Sequence, residues 1–171
     1  MGMGVMAETG NTELRAALVG AGMISLFHLR AWQAAGIPVV AVCDLDREKA
    51  EARAEEFGIA RVYDDPAAMF ADGGFDLVDI AASVGAHAPV TRMAADHGVH
   101  VMLQKPMTET VAEAEALVAE VGERVRFMVH ENYRFRPHYM TVRGWIDEGR
   151  IETAPRRVRS AAAPLLCCHR H

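Results

Sequence analysis

Cysteine is scarce in this 171-residue chain, and what there is cannot build a disulfide framework. Cys43 stands alone, and Cys167 and Cys168 are adjacent near the carboxyl end. A chain without such staples belongs in a reducing compartment, and a cytoplasmic location is expected. Long apolar runs are missing too. None approaches the roughly 18 residues that a membrane span needs, so no membrane partner is expected. The opening MGMGVMAETGNTELR has no basic segment leading into an apolar one, so no signal peptide is expected. Positive charge is in deficit: 18 lysines and arginines face 23 aspartates and glutamates, for a formal net charge of -5. With no basic stripe either, nucleic acid is not the expected partner. Internal repeats and low-complexity stretches are also lacking. Hydrophobic residues, by contrast, make up 51% of the chain, enough for the core of one domain with a second only if it is small.

Those apolar residues fall in runs that alternate with helical patterns. Residues 1–12 read as a flexible lead-in. LRAALV (14–19) reads as a strand, followed by a helix over about 23–35 with Ile24, Phe27, Ala31 and Ala34 on its inner side. VVAVC (39–43) lacks alternation and reads as a strand buried on both faces. DREKAEARAEEF follows as a charged helix with Ala50, Ala54 and Phe57 inward. The pattern continues with ARVYD, a strand, and PAAMFAD, a short helix. FDLVDIAA (75–82) is a strand, HAPVTRMAADHG a helix, and VHVML (99–103) a strand. TVAEAEALVAEVG is a helix with Val111, Ala114, Leu117, Val118 and Val121 inward, and RVRFMVH (124–130) is a sixth strand. PHYMTVRGWIDEG closes the series as a helix, with PRRVRS a candidate last strand. Such alternation implies right-handed crossovers and an α/β fold: a doubly wound parallel sheet with helices on both faces.

Ligands of an open parallel sheet sit beyond the carboxyl ends of its strands. There, the first strand runs into Gly20-Ala21-Gly22-Met23-Ile24 and then a helix. This is the context of a dinucleotide fingerprint. Gly20 permits the tight turn, and Gly22 lets a pyrophosphate approach bare backbone at a helix N-terminus. The third glycine position is Ser25. A merely tight turn is the alternative. Asp44 closes the second strand, where a carboxylate can accept from the adenosine ribose hydroxyls and repel a 2′-phosphate. Its alternative duty is a helix N-cap, for which Asp46 is better placed. NAD is therefore expected over NADP, with Arg47 leaving NADP open. His28, inside an apolar stripe, is by spacing alone a core residue.

GVHVMLQKPM (98–107) places Lys105 directly after a buried strand, on the same sheet edge as the glycine turn. Pro106 pushes Lys105 away from helical geometry. A partly desolvated lysine held there can serve as acid or base, although a solvated strand-end lysine is the plainer reading.

Taken in order, VGAGMISLFH, the aspartate after the second strand, GVHVMLQKPM and HENYRFRPHYMTVRGWIDEGRI resemble the Gfo/Idh/MocA oxidoreductases, over about residues 14–158. The resemblance implies a Rossmann domain for NAD or NADP over 13–131 and the start of a substrate domain over 132–160. It makes Lys105 the catalytic lysine, beside the nicotinamide and the substrate's reacting oxygen. Gln104, expected with Lys105 among the cofactor-binding residues, stands where the family's usual Glu-Lys-Pro segment has its glutamate, and the proline is typically cis. His28 and His87 match common histidines of the family. Ser83 and His87 fall in the loop after the fourth strand, where cofactor contacts are expected, although ASVGA replaces the usual Thr-Pro. Asn132, Tyr133 and Arg134 match a segment lining the substrate side.

The implied reaction is hydride transfer between a nicotinamide and a secondary alcohol or ketone, of a sugar or cyclitol. Family members run to about twice this length, so a truncated chain of low activity is expected. By the same resemblance, the second half, and with it the choice of substrate, is expected to be largely absent from this chain. Residues 161–171 read as an aberrant disordered tail, and Cys167, Cys168, His169 and His171 are not expected to form a metal site. An NAD-binding module without activity is the alternative, as is an interaction protein that self-associates as a homo-oligomer through an exposed sheet edge.

Overall fold

A computed structural model describes residues 14–151. Six strands form one parallel sheet: β1 (Ala16–Val19), β2 (Val39–Cys43), β3 (Arg61–Tyr63), β4 (Leu77–Ile80), β5 (His100–Gln104) and β6 (Phe127–His130). Their order is β3-β2-β1-β4-β5-β6, the doubly wound arrangement with a topological switch between β1 and β4. The crossover helices are α1 (Ser25–Ala34), α2 (Arg47–Phe57), α3 (Pro66–Asp72), α4 (Val84–Asp96) and α5 (Val111–Val121). The alternation in the sequence thus reads out as the observed topology. The first and sixth strands are shorter than their apolar runs, starting at Ala16 and Phe127.

Alternation along the strands sorts side chains onto two cores. Ala17, Val19, Ala41, Cys43, Val78 and Ile80 join residues of α3, α4 and α5 in one cluster. Leu18 and Val42 point the other way and pack with Leu29 of α1 and with Ala50 and Ala54 of α2. On that second face the strand register aligns Val62, Val42, Leu18, Asp79, Met102 and Met128 in one row across the sheet. A carboxylate thus occupies a row that is otherwise apolar.

Two helix faces differ from expectation. The buried residues of α1 are Ser25, His28 and Leu29, whereas Ile24, Phe27, Ala31 and Ala34 are exposed. The reason is hydrogen bonding: Ser25 and His28 find partners inside, which makes their burial tolerable. On α5, Val111 is 75% exposed while Leu117 and Val121 are buried. Val111 opens the helix directly after Thr110, whose hydroxyl caps the Glu113 amide.

Contacts divide the chain into two compact units, with the break between Glu131 and Asn132. The described residues of the second unit form a 3-10 turn (Tyr133–Phe135) and helix α6 (Pro137–Asp147), and no residue of α6 is buried. Within it the Arg136 guanidinium lies 4.1 Å from the centre of the Tyr133 ring. The lead-in 1–12, the candidate strand PRRVRS and the tail 161–171 lie outside the described residues. Among the described residues no helix is long and apolar enough to cross a membrane.

Candidate active site

Because every strand runs the same way, the segments after β1, β2, β4 and β5 emerge on one edge. Gly20–Ile24, Asp44, Ala82–Ser83 and Lys105 therefore share that edge. The two glycines of the first turn have different reasons to be glycine. Gly20 has φ +99°, and a Cβ there would lie 2.5 Å from the Ala82 nitrogen and 2.6 Å from the Ala81 carbonyl carbon. No L side chain fits. A Cβ on Gly22 would meet no atom within 4 Å. Its bareness answers to nothing in the protein, which is what a ligand lying on the backbone would need. Met23 and Ile24, at the start of α1, are exposed.

Asp44 fastens this turn to the end of β2. One carboxylate oxygen accepts from the Ala21 amide at 2.6 Å and the other from the Asp46 amide at 2.9 Å. A carboxylate has about four lone-pair sites, so acceptor capacity remains for ribose hydroxyls. Asp46 is the residue at the N-cap of α2, but its side chain does not cap the helix and pairs with Lys49 at 2.7 Å instead. Arg47 is engaged by Glu51 at 2.8 Å and Asp64 at 3.3 Å. Ser25, in the third glycine position, is fully buried; its hydroxyl donates to the Gly22 carbonyl at 2.5 Å and accepts from Arg53 at 3.1 Å. Beside Asp44, burial first and then the charges of Asp44, Asp65 and Asp64 push the Cys43 thiol up to about 12, so it stays protonated and inert.

At the β5 exit the Lys105–Pro106 peptide is cis. The Lys105 side chain is exposed. That exposure departs from the partial desolvation expected of it. His87 is 1% exposed, with Nδ1 2.9 Å from the Pro106 carbonyl and Nε2 3.1 Å from the Ala82 carbonyl. It is a strut between the β4 and β5 loops. Ser83 is exposed at the N-cap of α4. Asn132, Tyr133 and Arg134 belong to the second unit, as the N-cap and first residues of its 3-10 turn.

Sequence reasoning missed the polar cluster behind Lys105. Asp79 is 1% exposed, and its carboxylate accepts from Trp32 Nε1 at 2.7 Å and lies 2.9 Å from His28 Nδ1. Gln104 Nε2 is 3.1 Å from His28 Nε2, and Gln104 Oε1 accepts from the Lys105 amide at 2.7 Å. His130 stacks on His28 with ring centres 4.6 Å apart and planes 20° apart. Its Nε2 is buried without a hydrogen-bond partner. Burial holds this imidazole below its ordinary range, with Asp79 opposing the shift and His28 adding to it. A signal was available: Asp79 within a strand otherwise buried on both faces, and His28 on a helix stripe, are polar residues that must satisfy each other.

A Gly-rich turn between a buried strand and a helix, at the switch point of a 3-2-1-4-5-6 sheet, defines a nucleotide-binding domain of the Rossmann class. The sequence model described as the oxidoreductase family with an NAD-binding Rossmann fold, Gfo/Idh/MocA, matches residues 14–132, and the chain belongs to that family. It is 39% identical over 142 residues to a D-apiose dehydrogenase of Rhizobium rhizogenes, covering 82% of this chain and 41% of the relative. To an inositol 2-dehydrogenase of Salmonella typhimurium it is 33% identical over 143 residues, covering 81% and 43%. Among solved structures, an oxidoreductase from Agrobacterium radiobacter in complex with NAD+, L-tartaric acid and magnesium superposes with TM-score 0.77 at 38% identity, covering 81% of this chain and 41% of that one. A myo-inositol 2-dehydrogenase from Lactobacillus plantarum gives 0.76 at 25%, covering 82% and 43%. The chain thus spans about two fifths of the length of these relatives.

Proposed function

We propose that this chain binds NAD(H) along the carboxyl edge of its sheet and forms the cofactor side of a dehydrogenase acting on a sugar or cyclitol hydroxyl. The contrast at the first turn carries the reading. Gly20 is demanded by the protein's own backbone, and Gly22 faces open space beside a helix N-terminus. Asp44, with acceptor capacity to spare, receives the ribose hydroxyls. Arg47, already shared between two carboxylates, is poorly available to a 2′-phosphate, which supports NAD over NADP. Met23, Ile24 and Ser83 border the cofactor, and His87 and Gln104 hold the loops that do so. When bound, the nicotinamide supplies or accepts the hydride. Lys105 gives or takes the hydroxyl proton. Asn132, Tyr133 and Arg134 serve the substrate side. The polyol class follows from the relatives' substrates, and the free, buried Cys43 fits a reducing cytoplasm.

A second reading, an NAD-binding module without turnover, is favoured by the exposure of Lys105. Fluorescence titration of the full chain with NADH comes first, and saturable binding is expected. NAD+-linked oxidation of D-apiose and of inositols then separates the readings. Turnover that Lys105→Ala abolishes, with NADH affinity kept, supports the dehydrogenase. Binding without turnover supports the module, and no binding removes both.

A further inference from the structure

The hydrogen bonds behind Lys105 have a direction that their chemistry fixes. The Lys105 backbone N–H can only donate, so the atom of Gln104 facing it at 2.7 Å is the amide oxygen. The Gln104 NH2 group therefore faces His28 Nε2, at 3.1 Å, and needs a lone pair there. The proton of a neutral His28 must then be on Nδ1, where Asp79 accepts it at 2.9 Å. Trp32 Nε1 can also only donate, and it closes the far end on Asp79 at 2.7 Å. Two obligate donors bound the chain, one carboxylate collects protons at its centre, and every group between has one consistent role.

From this we infer that His28 and Asp79 are positioning residues: they set the orientation of the Gln104 amide, which anchors the backbone of Lys105. The inference rests on the reading above for what Lys105 does, but not for how it is held. Asp79 is 1% and His28 5% exposed, so water does not readily substitute for either partner. His130, stacked at 4.6 Å, covers one face of the His28 ring. Both nitrogens of His28 are used by the chain, so although His28, Asp79 and His130 bring ligand atoms within 4.8 Å of one another, His28 keeps no spare lone pair for a cation.

The direction of the chain makes each variant distinctive. In Asp79→Asn the amide satisfies Trp32 with its oxygen and presents NH2 to His28. His28 must move its proton to Nε2, Gln104 must turn over, and the Lys105 amide loses its acceptor. In Gln104→Met the Asp79–His28 pair is untouched, so His28 keeps its Nδ1 proton while Lys105 again loses its acceptor. In Gln104→Glu the acceptor for Lys105 survives, but the carboxylate draws a second proton onto His28.

The test is NMR on the full 171-residue chain labelled with 15N. Long-range proton–nitrogen correlations report which His28 nitrogen carries the proton, and hydrogen exchange reports the Lys105 amide. Wild type is expected to show Nδ1–H, and Asp79→Asn is expected to show Nε2–H. Exchange at Lys105 should quicken about tenfold in Asp79→Asn and Gln104→Met but not in Gln104→Glu. If Asp79→Asn does not fold, Gln104→Met and Gln104→Glu still decide. A wild-type Nε2–H tautomer, or equal exchange at Lys105 in both Gln104 variants, overturns the inference. NADH titration of the same wild-type sample keeps the two claims apart. The expected His28 and Lys105 signals without NADH binding would sink the functional reading and support the anchoring, and NADH binding with the wrong tautomer would do the reverse.

Discussion

At the scale of single residues, two glycines two positions apart answer to different forces. Gly20→Ala drives a Cβ into the Ala81–Ala82 backbone at a φ that L residues avoid, so a loss of about 2–4 kcal/mol is expected from the strain and the displaced β4 exit. Gly22→Ala meets nothing, and its stability should stay within about 0.5 kcal/mol of wild type. Its NADH affinity should nevertheless fall about tenfold or more, because the methyl occupies the line of approach to the backbone. Urea melts with NADH titrations on both variants check this, and a Gly22→Ala chain that binds normally would reduce the turn to a tight bend. His130 yields a pH prediction. Its folded-state affinity for protons lies below the ordinary 6.5 because of burial, so the unfolded chain protonates first as pH falls. The stability tied to this ring is therefore full above about pH 6.5 and lost as pH drops through the folded value. Asp79 and His28 are the titratable groups facing it. Urea midpoints at pH 7.5 and 5.5 should differ less in His130→Phe than in wild type.

At the scale of elements, the series does not single out one strand order, but the parallel, helix-covered sheet was legible because apolar runs alternate with helical periods. The face of α1 was not. Ile24, Phe27, Ala31 and Ala34 satisfy a helical stripe on hydrophobicity alone, whereas the buried stripe contains Ser25 and His28. Those two go inside because Gly22, Arg53, Asp79 and Gln104 supply their hydrogen bonds, and all but Gly22 are distant in sequence. For the same reason Gly20, Gly22 and Asp44 could be picked out locally, whereas Asp79 stood out only as a polar residue in a buried strand, and its partner Trp32 carried no local signal. The helix face is testable by a pair of truncations. Leu29 is 2% exposed and Phe27 is 60% exposed. Leu29→Ala should cost about 2–5 kcal/mol, and Phe27→Ala less than about 1 kcal/mol despite removing the larger side chain. The reverse order in denaturant unfolding would restore the stripe read from the sequence.

At the scale of the whole molecule, every residue proposed for the cofactor side precedes Asn132. Each fully buried residue of the two cores lies at or before Val125. The four strand exits that carry Gly22, Asp44, Ser83 and Lys105 come from β1, β2, β4 and β5. Helix α6 contributes no buried residue, although its sequence carries Tyr139, Met140, Val142 and Trp145. Burial, not chain length, sets stability. A variant ending at Glu131 should therefore unfold cooperatively, with a Tm within about 4 °C of the full chain, since a change of 1 kcal/mol moves Tm by roughly that much in a domain of this size. Its NADH affinity should match that of the full chain, because no group assigned to the dinucleotide has been removed. Any polyol turnover should vanish with Asn132, Tyr133 and Arg134. Calorimetry, NADH titration and the dehydrogenase assay on the two chains read these three consequences separately. A shortened chain that melts far lower, or binds NADH several-fold more weakly, would show that the cofactor side is not self-contained.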